Sequence, residues 1–127
     1  MFMSKLFVVL WMIFFHIIDD YVLQAPSLCS LKQKSWWKEY NPDKMYKHDY
    51  IWALFMHSFS WSFMIMLPIA YFHNFDVGYW FPIVLAANTV EHALVDHAKA
   101  NWKVINLWQD QLVHMVQIFV TAALLYI

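Results

Sequence analysis

Apolar residues fall into four long runs, Phe2 to Leu23, Tyr50 to Tyr71, Tyr79 to Ala98 and Leu107 to Ile127. Each is close to the ~20 residues that an α-helix needs to cross the hydrocarbon core of a bilayer. The pattern predicts an all-α fold: a four-helix transmembrane bundle of up-down topology, forming one domain over residues 1–127. Punctuation agrees. Pro26 follows the first run, Asp49 and Asn106 are good N-cap types for the second and fourth, and Asn74 to Gly78 makes a polar turn. The first run ends in acids and Gln24, without a small-residue cleavage pattern, so it reads as a span and not as a removed leader.

The connection from Ala25 to His48 mixes five Lys with Trp36, Trp37 and Tyr40. Such a mixture suits the headgroup region, where aromatic rings settle while ammonium groups stay in water. The first and third connections hold seven of the eight Lys and the second holds none. By the positive-inside rule both face the cytoplasm, which leaves both termini on the non-cytoplasmic side.

Composition sharpens this picture. Of 127 residues, 62% are hydrophobic and only 13% charged, against roughly 45–50% and about 25% in soluble domains. A net charge of −1 with no Arg offers no field for phosphate backbones, so nucleic acid is not an expected partner. Cys29 is the only cysteine, which excludes an intrachain disulfide and a thiolate zinc cluster. One glycine cannot build a phosphate loop.

Ionisable groups inside spans cost a few kcal/mol each by insertion scales, so their placement asks for a reason. Here it is ordered. His16 and Asp20, His92 and Asp96, and Asp110 and His114 are each four residues apart, putting each pair on one helix face. The second run supplies His57. Two of the pairs lie in the last turns before the cytoplasm, and His57 and the third pair lie in the first turns after it, so all seven groups are expected at one depth. Imidazole and carboxylate on facing helices are how bundles hold metal ions. The ligand set suits zinc, manganese or iron. His16, Asp20, His57, His92, Asp96, Asp110 and His114 are the expected metal ligands, with Asp20 and His57 as candidate acid–base groups. A structural clasp between helices is the competing interpretation of any single pair.

His16-x-x-x-Asp20-x-x-Leu23-Gln24, His57, His92-x-x-x-Asp96 followed by Lys99, and Asp110-Gln111-x-x-His114 together resemble the small bacterial and phage membrane proteins grouped as domain of unknown function family 3307. The likeness extends over nearly the whole chain. It departs at the long first connection and at the tandem acids Asp19 and Asp20, of which helical spacing favours Asp20 facing inward. The resemblance implies an integral protein of the bacterial inner membrane and supports the site membership above. The expected function is a metal-dependent hydrolase at the cytoplasmic leaflet, acting on a phosphoester or lipid-linked substrate. The alternative is a non-enzymatic, phage-type module that binds a host membrane protein and whose polar layer is structural or metal-binding.

Overall fold

The structure, a computed structural model, describes residues 2–125. Met1 and the last two positions of the fourth expected run, Tyr126 and Ile127, lie outside the described residues. The chain is all-helical, with no strand among the described residues.

Helix α1 (Phe2–Ile17) continues into a π-helical turn, Ile18–Leu23. The first connection holds α2 (Pro26–Leu31), α3 (Lys34–Tyr40) and a 3-10 turn at Lys44–Tyr46. Helix α4 spans Asp49–Phe72, and α5 spans Trp80–His97 before a second π-helical turn, Ala98–Trp102. Helix α6 spans Leu107–Leu124. Two helical stretches, Ser4–Leu23 and Lys44–Phe72, are long and apolar enough to cross a membrane. The third and fourth expected spans form helices at the expected places, but α5 and α6 do not reach that measure. The cause is visible in their composition: Asn88, Glu91, His92 and Asp96 on α5, and Gln109, Asp110, Gln111, His114 and Gln117 on α6, dilute the apolar content.

Local signals explain most boundaries. Asn106 caps α6 as expected: its side chain accepts from the Gln109 amide at 2.9 Å, and the Gln109 side chain accepts from the Asn106 amide at 3.0 Å. Asp49 does not cap α4. The helix begins one residue earlier, with the Ile51 amide on the His48 carbonyl, so Asp49 lies in the first turn, where its charge favours the helix dipole. The turn after α4 passes through left-handed backbone at Asn74, Phe75 and Gly78, a region that glycine and asparagine enter at least cost.

Contacts along the chain show neighbouring long helices running antiparallel. Trp11, past the middle of α1, meets Tyr71 near the end of α4, while Asp19, further along the chain, meets Ser60 in the middle of α4. Asn88 and Thr121 join α5 to α6. The half of the assembly away from the polar layer is an apolar core of Val8, Met12, Ile65, Met66, Ile69, Ile118 and Ala122. The exterior of all four long helices is also apolar, for example Phe14, Trp52, Phe59, Val90, Leu94, Val116 and Phe119. Polar residues sit inside.

The first connection is a folded strap. Trp37 Nε1 donates to the Leu31 carbonyl, and Trp37 stacks on Tyr46. Asn101, in the second π turn, accepts from the Lys34 amide at 2.7 Å and donates to the Lys32 carbonyl at 3.0 Å. These bonds dock the strap over one end of the long helices.

Candidate metal centre

Antiparallel packing brings the late turns of α1 and α5 level with the early turns of α4 and α6. All seven sequence-expected residues meet there, six of them buried outright and Asp20 with a side chain 12% exposed. His57 Nε2 lies 3.2 Å from His92 Nε2, 3.4 Å from Asp20 Oδ1 and 3.5 Å from Asp96 Oδ2. His92 Nε2 is 3.6 Å from Asp96 Oδ2. His114 Nε2 is 3.3 Å from Asp110 Oδ1 and 3.8 Å from Asp96 Oδ1. A tetrahedral ion with bonds of about 2.0–2.2 Å holds its donors roughly 3.3–3.6 Å apart; the Asp20, Asp96 and Asp110 contacts at 3.3 to 3.6 Å fall in that range, while the His57–His92 and His114–Asp96 separations lie just outside it. Two groups could hold an ion, Asp20 with His57 and His92, and His92 with Asp96 and His114, the ligand atoms of each lying within 4.8 Å of one another. His92 belongs to both.

A contact behind the ring decides which nitrogen of His114 faces inward. His114 Nδ1 is 3.2 Å from Gln117 Oε1, and the Gln117 amide nitrogen is aimed at Asn88 Oδ1 and Glu91 Oε2. The amide is thereby oriented, Nδ1–H donates to it, and the Nε2 lone pair of a neutral His114 points into the layer. His57 Nδ1 faces Asp19 Oδ2 at 3.7 Å, and Asp19 Oδ1 accepts from Ser60 Oγ at 2.8 Å. A carboxylate behind an imidazole whose other nitrogen faces a cluster of donors is the usual arrangement around a metal-ligating histidine. Asp110 Oδ1 and His114 Nε2 in the layer, and Asp19 Oδ2 and His92 Nδ1 beside it, have no hydrogen-bond partner among the described residues. Inward lone pairs facing carboxylate oxygens repel one another unless a cation or protons lie between them.

The charge inventory points the same way. Four carboxylates, Asp19, Asp20, Asp96 and Asp110, face two ammonium groups. Lys32 donates to Asp96 Oδ2 at 2.8 Å and to Gln24 Oε1 at 2.7 Å, and Lys99 donates to Asp110 Oδ2 at 3.0 Å. With neutral imidazoles two negative charges are left, the complement of one divalent ion. Burial works against the Lys99 ammonium, but the hydrogen bond and charge of Asp110 outweigh it and hold its pKa above the ordinary lysine value.

Not every expected ligand lies in the two groups. His16 Nδ1 accepts from Trp61 Nε1 at 2.8 Å, and Nε2 lies 2.9 Å from Gln111 Oε1. Indole can only donate, so His16 Nε2 carries the proton, and both ring nitrogens are engaged. His16 therefore braces the layer in this arrangement. Asp110 Oδ2 is shared by Lys99 and Gln111, leaving Oδ1 beside His114. The expectation that Asp20 and not Asp19 faces inward is corrected: both do, and Asp19 is the more buried. The π turn is the reason, since i→i+5 bonding, seen in the Gln24 amide on the Asp19 carbonyl, widens the turn so that adjacent side chains both enter the bundle.

Lys32 is a second correction. It belongs to the strap counted above as interfacial, yet it is 5% exposed and inserted among the carboxylates. Nothing local distinguishes it from Lys34 or Lys38. Trp61, fully buried, stacks on His92 with ring centroids 4.2 Å apart, and His92 stacks on His114 at 4.3 Å. Its position four residues after His57 is the signal that places it on the site face. His48 is exposed, and His97 pairs with Asn101 and stacks on Tyr50 away from the layer. No family model, curated protein or solved structure matches this chain.

Proposed function

We propose that the four long helices cross the bacterial inner membrane as an up-down bundle with both termini outside, and that the His/Asp layer is a divalent metal centre. Its reaction is hydrolysis of a phosphoester or lipid-linked substrate at the cytoplasmic leaflet. The single observation that carries the metal is the gathering of buried imidazole nitrogens and carboxylate oxygens into two groups that share His92, Asp20 with His57 and His92, and His92 with Asp96 and His114, the His114 tautomer being set from behind by Gln117. Apolar outer faces on α5 and α6, whose polar residues are turned inward, support the membrane reading for the two helices of lower hydropathy. Lys34, Lys38, Lys44, Lys47 and Lys103 are exposed at the end of the molecule that carries the layer, which supports placing that end in the cytoplasm. The resemblance to family 3307 belongs to the same proposal.

A bound ion would polarise the scissile group and acidify a water molecule. His92, Asp96 and His114 would hold it, with His57 beside them. Asp20, with the most exposed side chain of the layer's four carboxylates, is placed to take a proton from the attacking water. Metal analysis of the detergent-purified protein tests this against a His92→Ala, His114→Ala double variant. The expected result is about one ion per chain in the native protein and loss in the variant. Equal metal in both sinks the assignment.

The interaction-module reading draws on one observation: Lys32 and Lys99 already neutralise two of the four carboxylates. Under it, His92→Ala lowers stability and no phosphoester turnover exists to lose.

A further inference from the structure

Several grooves open on the outer surface, two of them along the apolar flanks of the long helices. One, of 660 Å³ between α1 and α4, is lined by Leu6, Phe7, Trp11 and Tyr71 at the end remote from the polar layer. The other, of 470 Å³, runs between α5 and α6 and differs in kind. Its walls are Ile83, Ala87, Val120 and Leu124, with Trp80 at the far end. Its base is polar: Asn88 donates to Thr121 at 2.8 Å, and Gln117 reaches Asn88 and Glu91. From Trp80 to Glu91 the groove is about 16 Å long at helical rise, close to the ~15 Å of hydrocarbon in one leaflet.

The polar end adjoins the metal layer. Gln117 accepts from His114 Nδ1 while donating to Glu91 Oε2, so one amide separates the groove from a candidate ligand. Glu91 is exposed at this end, and its contact with Gln117 is long, at 3.3 Å. A carboxylate among apolar walls with one weak donor retains capacity for a hydroxyl. Further toward the cytoplasmic end, in the π turn that follows this helix, the Lys99 side chain is 33% exposed; its ammonium holds Asp110 at 3.0 Å and keeps N–H donors to spare for a phosphate.

We propose that the α5–α6 groove binds a single-chain phospholipid with a free hydroxyl: the chain lies along Ile83, Ala87 and Val120, the hydroxyl donates to Glu91, and the phosphate is drawn by Lys99. This rests on the membrane hydrolase reading and names its substrate class. A groove of 470 Å³ between two adjacent helices matches one acyl chain in width.

The test is photolabelling of the purified full chain in dodecylmaltoside micelles by a lysophospholipid with a diazirine in its chain, with adducts mapped by mass spectrometry. Adducts are expected on α5 and α6. Ala87→Trp fills the groove from an exposed position, so it should keep wild-type circular dichroism and metal content while cutting labelling about tenfold. Unlabelled lysophospholipid should compete, and a fatty alcohol of equal chain length should compete several-fold less well, because it lacks the group that Lys99 attracts. Equal labelling of the α1–α4 groove, or no effect of Ala87→Trp, identifies ordinary surrounding lipid and overturns the proposal. Equal competition by the alcohol overturns the phosphate assignment. Metal bound without α5–α6 labelling removes the lipid site and leaves the hydrolase. Labelling lost in Ala87→Trp from a protein that binds no metal keeps the lipid site and removes the hydrolase.

Discussion

His16 and His57 are chemically the same side chain at the same depth, and their surroundings give them different work. His16 has a donor on one nitrogen and an acceptor on the other. His57 has a carboxylate behind Nδ1 and two carboxylates and an imidazole around Nε2. Replacing His16 with Ala should therefore leave metal stoichiometry intact and cost about 1–3 kcal/mol, since Trp61 Nε1 and Gln111 lose their buried partner. Detergent-unfolding midpoints together with metal analysis check this. Asp19→Asn should do the opposite, keeping the fold while weakening zinc affinity about 10–100-fold by removing the carboxylate behind His57; competition with a chromogenic chelator reads the change. Lys32 tests the charge inventory. Lys32→Met leaves Asp96 buried without its ammonium, and breaking such a pair costs roughly 3–5 kcal/mol. Saturating zinc should recover part of that loss, because an ion beside Asp96 replaces the missing positive charge. A deficit that zinc leaves unchanged would show that no cation takes that place.

At the scale of elements, the two π turns stand out because both border the polar layer, one after His16 and one after Asp96. The first brings both Asp19 and Asp20 inward, and the second carries Lys99 to Asp110 and Asn101 to the strap. Deleting Ile18 should remove the extra residue and let α1 continue as an ordinary helix, in which the adjacent Asp19 and Asp20 point about 100° apart and cannot both face the layer. Metal content should fall while helical circular dichroism stays near wild type; unchanged metal would mean that the widened turn is not needed to present the acids. The strap is the other element whose role depends on docking. It brings Lys32 to Asp96 across 64 residues of sequence, guided by Asn101 and not by any helical register.

For the whole molecule, the decisive feature is the inversion of the usual soluble pattern, with an ionisable layer inside and apolar faces outside on all four long helices. In the proposed membrane setting, Cys29, partly exposed on α2, lies on the cytoplasmic side. A membrane-impermeant thiol reagent should label it in inverted vesicles and not in intact cells. Labelling of intact cells would move the polar layer to the opposite leaflet.

Much of this was legible from one dimension. Helix positions, the Asn106 cap and the three pairs spaced by four residues follow from local periodicity, because hydrogen bonding and side-chain direction within a helix depend on neighbours a turn away. Matching depth on antiparallel helices was enough to place His16, Asp20, His57, His92, Asp96, Asp110 and His114 in one layer. What no local pattern contains is the partner of each atom. The burial of Lys32, the inward turn of Asp19, the engagement of both His16 nitrogens and the stacking of Trp61 on His92 arise where separate helices and the strap meet. Those meetings, set by long-range packing, decided which members of the layer face a common centre and which hold it in place.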